Sequence, residues 1–244
     1  MGTQSATLAT AKDGKNIRLA VITAVCGSYP AQLRFQNVTG ADFFYFCCGT
    51  NVTAHPQWRR VEHKYYQNRS KFMEAKYYKT QWHKIDILQP YSHVVWLDAT
   101  VQMKRYPLLS NYITVYNHQH RRSTRAEARV SYKPIKTLPP DPRYELFQWG
   151  LVEMQGTVLP DIRWLAITCW IVLHRCKEVE HMNDVWWQHL LQHSPQDQVS
   201  FPLACTTANF KPLLLNDGVS HLETKHYKKW GHAGGKYYAT TTRW

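Results

Sequence analysis

The chain has 244 residues, of which 44% are hydrophobic, enough for one domain with a real core and too many for wholesale disorder. No apolar run approaches the ~20 residues of a membrane span, and the polar start lacks the apolar middle of a signal peptide. The formal net charge of +13 favours a polyanionic partner such as nucleic acid, or an anionic membrane surface, over a merely solvated basic surface.

The first half of the chain predicts strands around one helix. The strands are predicted at residues 17–25, 42–48, 58–64 and 93–97, where β-branched and aromatic residues form apolar runs. A Gly-containing turn follows the first run, and such a turn commonly lies near a ligand in an α/β domain. Apolar residues at helical spacing predict a helix at residues 71–84. The last strand is predicted to be central, and it ends at Asp98.

The second half predicts a mixed set of elements. These are a short helix and then a strand at 108–116, helices at 125–130, 144–154 and 184–193, a strand at 164–174, and a helix capped by Ser194. Strands that alternate with helices early in the chain predict a single α/β domain. We expect a flexible segment at residues 1–16, the domain at 17–215, and a basic tail at 216–244 that packs on the active site.

Six scattered cysteines lack the CxxC spacing of a metal site. We interpret them as buried free thiols, which are typical of a reducing compartment. Together with the absence of an apolar span, this predicts a cytoplasmic protein.

Asp98 is the first candidate for chemistry. A carboxylate that follows a central strand points into the crevice where α/β sheets bind ligands. Divalent metals that hold a diphosphate use a few hard oxygen ligands of this kind. The alternative is a strand-end acid that caps the next turn.

Four short motifs occur in order along the chain. They are Lys76-Tyr-Tyr-Lys79 with His83; Trp96-Leu97-Asp98-Ala99; His118, His120 and Arg121 with Glu127; and Trp186-Trp187 followed by SPQDQVSF at residues 194–201. Together they resemble a poorly characterised family of glycosyltransferase-like proteins of the GT-A type, found in bacteria, plants and large viruses. The resemblance spans roughly residues 17 to 204.

The resemblance implies a fold and a chemistry. The fold would be a GT-A-like (Rossmann-like) α/β domain with a mixed central sheet that binds a nucleoside diphosphate sugar, most simply a UDP-sugar. Mn²⁺ or Mg²⁺ would neutralise the leaving diphosphate at Asp98. Two departures are visible: Thr100 replaces the second acid of the usual Asp-x-Asp motif, and Gln196 replaces an Arg.

Further site residues follow from the same resemblance. His232 and Lys236 are loosely similar to a His-x-Gly-x-x-Lys segment of glycogenin-like transferases, where the His binds metal and the Lys meets a phosphate. Asp197, near a predicted helix N-terminus, would be the general base for an inverting transfer, or simply a capping acid.

Binding of the donor is assigned to Asp98 and to six basic or aromatic residues. These are Tyr29, Arg69, Lys76, Lys79 and Trp96, with Asp98 itself and Lys236. Lys76 and Lys79 lie one helical turn apart and share a face. The alternative for both is a solvated basic face.

Nucleic-acid contact is predicted where basic residues alternate with aromatic ones, because phosphates and bases require charge and stacking faces. The candidates are Arg59, Arg60, Lys64, Arg121, Arg122 and Arg125. We therefore predict a metal-dependent glycosyltransferase whose acceptor is a hydroxymethylated base in viral DNA, located in the host cytoplasm. The alternatives are a transferase that acts on a surface or capsid glycan, and a non-enzymatic nucleic-acid-binding module.

Overall fold

The computed structural model describes residues 17–26, 31–48, 52–62, 71–118, 120–135, 160–193, 195–216 and 222–224. The predicted segment at 1–16, the predicted helix at 144–154 and nearly all of the predicted tail at 216–244 lie outside these residues.

A seven-stranded mixed sheet forms the centre of the protein. Its strands are β1 (Leu19–Cys26), β3 (Ala41–Cys48), β5 (Trp58–Val61), β6 (His93–Leu97), β8 (Ile113–Asn117), β9 (Ala166–His174) and β10 (Leu213–Leu215). They lie in the order β5-β3-β1-β6-β9-β8-β10. Two small sheets flank them, formed by β2 (Ala31–Leu33) with β4 (Val52–Ala54) and by β7 (Val101–Met103) with β11 (Leu222–Thr224).

The sheet changes character at β6. The strands β5, β3, β1 and β6 are parallel, whereas β9 runs antiparallel to both of its neighbours, β6 and β8. In the parallel part the chain moves outward from β1 to β5 and then returns to the other side of β1. Such a reversal of strand order is the point at which doubly wound sheets bind nucleotides, outside the carboxyl ends of the strands.

The central strands are apolar because both faces of the sheet are covered. Every residue of β1 and of β6 is buried, as expected for central parallel strands. Alternate residues of β1 enter two different clusters: Ala20 and Ile22 face one side, and Leu19 and Val21 the other.

Helices cover the first of these two sides. They are α1 (Lys71–Thr80), α3 (Lys177–Gln192) and α4 (Asp197–Thr207), and α2 (Thr124–Ile135) packs beside α4. The aromatic side chains Tyr78, Trp186 and Phe201 of α1, α3 and α4 are fully buried against the sheet. Among the described residues, no helix is both long and apolar enough to cross a membrane.

The structure confirms the predicted α/β class and the mixed central sheet. Several boundaries differ from the prediction. β5 ends at Val61 instead of residue 64, and α2 continues to Ile135 instead of ending at residue 130. α1 ends at Thr80, and two 3-10 turns follow at Trp82–Lys84 and Asp86–Leu88. α3 begins at Lys177, seven residues before the predicted start, because Glu178 and Glu180 favour a helix N-terminus there. α4 begins at Asp197 and not directly after Ser194, which itself lies outside the described residues.

The predicted short helix before β8 is also wrong, since residues 108–112 form no helix. For Cys26 the prediction of a free thiol is wrong as well, because this residue is disulfide-bonded. Cys47, Cys169, Cys176 and Cys205 are not disulfide-bonded. Disulfides are typical of oxidising compartments, so the cysteines no longer support a cytoplasmic location.

Candidate functional site

Charged residues from three distant segments meet at the carboxyl end of β6. Lys76 and Lys79 come from the last turns of α1, Asp98 follows β6, and Asp197 is the first residue of α4. We call these four residues the lysine–aspartate cluster. The Nζ atoms of Lys76 and Lys79 donate to different oxygens of Asp197, Oδ1 and Oδ2 respectively. The cluster lies beside the reversal of strand order, where a nucleotide is expected.

Lys79 lies in the middle of the cluster. Its Nζ is 3.9 Å from Oδ1 of Asp98, and its side chain is only 1% exposed. The ring of Trp96 lies 5.4 Å from this Nζ and the ring of Trp186 lies 6.0 Å from it. An ammonium group is attracted to the face of an indole ring at such distances. The buried charge is therefore enclosed by two carboxylates and two aromatic rings.

Asp98 is the member of the cluster that reaches solvent. Its side chain is 42% exposed. Oδ1 accepts a hydrogen bond of 2.7 Å from Nε1 of Trp96. The backbone N–H of Asp98 donates to the carbonyl of Cys169 on β9 at 2.8 Å. One oxygen is thus fixed by the protein, and the other can accept a proton donor or a cation from the crevice.

The cluster shifts the titration of its members. Burial by itself would raise the pKa of Asp197, but the ammonium groups of Lys76 and Lys79 outweigh burial and hold this pKa well below its usual range. Burial lowers the pKa of Lys76, and its attraction to Asp197 only partly offsets this. For Lys79 the attraction to Asp197 and Asp98 outweighs burial and raises the pKa. Asp197 is consequently ionised at neutral pH.

The described residues do not by themselves fit a divalent metal. In the ranges that the structure describes, no group of three His, Cys, Asp or Glu side chains could hold a metal ion. Asp98 supplies one carboxylate, and an ammonium group lies 3.9 Å from its Oδ1. Thr100 is exposed beside it, and His232, the predicted second ligand, lies outside the described residues.

A second polar group connects Asp197 to α2. Nε2 of Gln196 donates to Oε1 of Glu127 and to Oγ of Ser131, at 3.2 Å in both cases. Nε of Arg121 donates to the other oxygen of the buried Glu127. Gln196 and Arg121 therefore donate to different oxygens of Glu127, and the guanidinium group of Arg121 balances the charge of this acid.

The predicted nucleic-acid residues that the structure describes lie in separate parts of the fold. Arg59 pairs with Asp42 at 3.2 Å and Arg60 with Glu62 at 2.7 Å, both on the edge strand β5. Arg121 is paired with Glu127 and lies beyond β8, five strands from β5 in the sheet. At about 4.8 Å per strand this separation is on the order of 24 Å.

The other predicted residues divide into two sets. Lys76, Lys79, Trp96, Asp98 and Asp197 are brought together. Tyr29, Arg69, Lys236, His232 and Lys64 lie outside the described residues. Trp186 received no role from the sequence, although its ring faces Lys79 and its Nε1 donates to Oγ of Ser200 at 2.9 Å. The Trp-Trp motif that contains Trp186 was the one sequence feature that could have indicated this role.

Comparison with known proteins adds little to this geometry. No family model matches the chain, and no curated protein matches its sequence. Among solved structures, the apo form of mouse xyloside xylosyltransferase 1 is similar, with 10% sequence identity and a TM-score of 0.38. The similarity covers 82% of this chain and 84% of that chain. A likeness of this size carries no argument about activity, so function has to be argued from the site.

Proposed function

We propose that the protein is a glycosyltransferase that moves a sugar from a nucleoside diphosphate sugar to a hydroxyl group. One observation carries the proposal: the lysine–aspartate cluster assembles at the reversal of strand order. The residues come from α1, β6 and α4, which are far apart in the sequence. In α/β sheets this is the crevice that receives nucleotides.

Asp98 and Lys76 each have a task in this proposal. Asp98 accepts hydroxyl groups of the donor through its exposed carboxylate, which Trp96 and Lys79 hold in place. Lys76, whose side chain is 14% exposed, is the ammonium group closest to solvent. Positive charge fixed in a partly dry crevice stabilises the negative charge that develops on a departing diphosphate.

A divalent cation held by Asp98 and His232 stays a prediction. Such an ion, when bound, would neutralise the leaving diphosphate. Within the described residues Asp98 would be its one charged ligand, and the proposal above does not depend on it.

The role of Asp197 as general base also stays a prediction. Both of its oxygens accept hydrogen bonds from ammonium groups, and its pKa lies well below the usual range. A carboxylate in this state is a weak base, so one ammonium group would have to leave before a proton could be taken. We therefore propose that Asp197 acts as a positioning residue for Lys76 and Lys79.

The acceptor is proposed from charge. The net charge of +13 suits an anionic acceptor, and a hydroxymethylated base in viral DNA stays the predicted example. DNA should then be retained at low salt and released as salt rises, because phosphate contacts displace counterions. Salt-insensitive activity on neutral sugars would instead favour a surface or capsid glycan.

Donor binding tests the proposal directly. We expect UDP-sugars to raise the melting temperature of the protein, and Asp98→Asn to reduce this shift strongly. Asp86→Asn is the matched control, because Asp86 is an exposed acid in a 3-10 turn outside the cluster. Parallel samples with Mn²⁺ and with EDTA test the metal prediction.

Two results would contradict the proposal. An equal shift in wild type and Asp98→Asn would remove Asp98 from the donor site. DNA binding without a response to any nucleotide sugar would favour the non-enzymatic alternative.

A further inference from the structure

A cavity opens at the same edge of the sheet, on the other side of β9 from Asp98. Its volume is about 490 Å³, which is within the range of small-molecule sites. The lining residues end or follow β8, follow β10, precede β9 or belong to the loop before α2. They are Asn117, His118, Arg122, Arg163, Trp164 and Asn216. We call this cavity the arginine pocket.

The described residues compensate the charge of the arginine pocket only weakly. Two of its lining residues are arginines and none is acidic. In the described part of the chain no acid forms an ion pair with Arg122. Nε of Arg163 lies 3.6 Å from Oδ2 of Asp161, but the side chain of Arg163 is 86% exposed. An ion pair this open to water contributes little, so both guanidinium groups can still bind an anion.

His118 supplies a fixed neutral donor to the pocket wall. Its Nδ1 accepts the backbone N–H groups of His120 at 3.2 Å and Arg121 at 3.1 Å. The ring proton must therefore reside on Nε2, which can donate to a ligand. Burial and the nearby Arg121 lower the pKa of His118 to about 4, so the ring stays neutral at physiological pH.

The remaining wall suits a sugar-sized molecule. Trp164 offers an indole ring that contacts Phe201 of α4 edge to face, with ring centroids 6.1 Å apart. Nδ2 of Asn117 donates to Oδ1 of Asn216 at 3.0 Å, which joins the ends of β8 and β10. Amide groups and a flat apolar face beside cations are a combination for an anionic, hydroxyl-rich ligand.

The arginine pocket lies close to the lysine–aspartate cluster along β9. Trp164 precedes Cys169 by five residues, and the carbonyl of Cys169 accepts the N–H of Asp98. At about 3.3 Å per residue the two sites are separated by on the order of 15 Å. An extended ligand seated in the pocket can therefore reach the crevice at Asp98.

We infer that the arginine pocket binds the oxyanion of an acidic sugar, a carboxylate or a phosphate. The guanidinium groups of Arg122 and Arg163 hold the oxyanion, Nε2 of His118 donates to it or to a neighbouring hydroxyl, and Trp164 supports the ring. That this sugar belongs to the acceptor rests on the proposed transferase activity with a glycan as its acceptor, whereas binding to the pocket does not.

Matched sugars test the pocket. The ¹⁵N-labelled protein is titrated with glucuronate, glucose 6-phosphate and glucose, and the indole N–H resonance of Trp164 is followed. This resonance is assigned by its absence from the spectrum of Trp164→Phe. We expect at least one charged sugar to shift this resonance saturably, and glucose to leave it unchanged at the same concentration. The stronger of the two charged sugars decides between carboxylate and phosphate.

Two arginine variants separate the pocket from general charge. Arg122→Met should weaken binding of the charged sugar about tenfold or more, as expected for the loss of a charge-assisted hydrogen bond. Arg129→Met is the matched control, because Arg129 is an exposed residue of α2 that does not line the pocket. It removes the same charge and should leave the affinity unchanged.

Three outcomes would overturn the inference: equal binding of glucose, equal weakening by Arg129→Met, or a Trp164 shift with a short DNA duplex and with neither charged sugar. The last outcome would assign the pocket to nucleic acid. The affinity for UDP is measured on the same samples. If the protein did not bind UDP, the proposed function would be contradicted, but the assignment of the pocket to an acidic sugar would still stand.

Discussion

The lysine–aspartate cluster and the arginine pocket hold their charges in opposite ways. The cluster buries two cations with two acids, and only Asp98 is substantially exposed. The pocket presents Arg122 and Arg163 to solvent with no acid in its lining. Burial makes charge pairing obligatory, since an unpaired charge in the interior is very costly. Exposure relaxes this requirement, so the surface charge can be reserved for a ligand.

This difference separates stability from binding. Substitutions of the buried members of the cluster, Lys76, Lys79 and Asp197, should act first on folding. Substitutions in the pocket should act on ligand affinity. The following predictions test that division in order of decreasing effect.

The largest effect is expected from Asp197→Asn. The variant leaves the buried ammonium groups of Lys76 and Lys79 without their shared carboxylate, and breaking a buried pair costs about 3–5 kcal/mol. Urea unfolding at pH 7 measures this loss. Glu62→Gln breaks the exposed pair with Arg60 and should change the free energy of unfolding by less than about 1 kcal/mol. Comparable losses in the two variants would contradict the division.

The contribution of Asp197 to the free energy of unfolding should also depend on pH. Because the folded-state pKa of Asp197 is depressed, its stabilisation is complete above the unfolded-state pKa of about 4. That stabilisation is lost as the pH falls towards the folded-state value. The stability gap between wild type and Asp197→Asn should therefore be widest at neutral pH and narrow below about pH 4. A gap that is constant down to pH 2 would exclude this account.

An intermediate effect is expected at the pocket wall. His118 has a folded-state pKa of about 4 against about 6.5 in the unfolded chain, so its neutral form stabilises the fold fully above pH 6.5. This contribution is lost as the pH falls from about 6.5 to 4, by up to about 3 kcal/mol. In His118→Asn the free energy of unfolding should fall less over this interval. Identical pH profiles would show that His118 is not buried in its neutral form.

A smaller effect is expected where the two regions join. Gln196 precedes Asp197 and donates to Glu127 and Ser131. Gln196→Ala should cost about 1–2 kcal/mol, because the buried Glu127 loses a donor. Gln192→Ala at the end of α3, an exposed position, is the control and should be close to neutral. A double-mutant cycle with Arg121→Met should show coupling, since both residues donate to Glu127.

The smallest effect on folding is expected from Arg122→Met. Surface substitutions outside buried networks usually change stability by less than about 0.5 kcal/mol. A loss of more than about 1 kcal/mol would mean that Arg122 serves the fold, and it would weaken the assignment of the pocket to a ligand. Unfolding curves of Arg122→Met and Arg129→Met, recorded side by side, decide this.

The sequence predicted the parallel part of the sheet better than the rest. The runs at 17–25, 42–48 and 93–97 coincide with β1, β3 and β6 within two residues at each end, because central parallel strands are apolar throughout. The placement of Asp98 at a carboxyl end followed from that. α3 was predicted only over its second half, because the predicted helix began at residue 184 whereas the helix begins at Lys177.

The arginine pocket could not be predicted. Its walls are joined by the antiparallel register of β8 and β9, which pairs Asn117 with Ala166 across nearly fifty residues. The sequence around His118 and around Trp164 contains no local pattern that indicates this pairing. Long-range register depends on the whole sheet, whereas strand-end acids are visible in a short window.

The position of β9 has a consequence for synthesis on the ribosome. This strand lies between β6 and β8 in the sheet but follows both in the chain. Until residues 166–174 emerge, the nascent chain presents two unsatisfied strand edges, and such edges invite pairing with other chains. Translation through this interval is therefore the step at which a chaperone that shields strand edges would most improve the yield of folded protein.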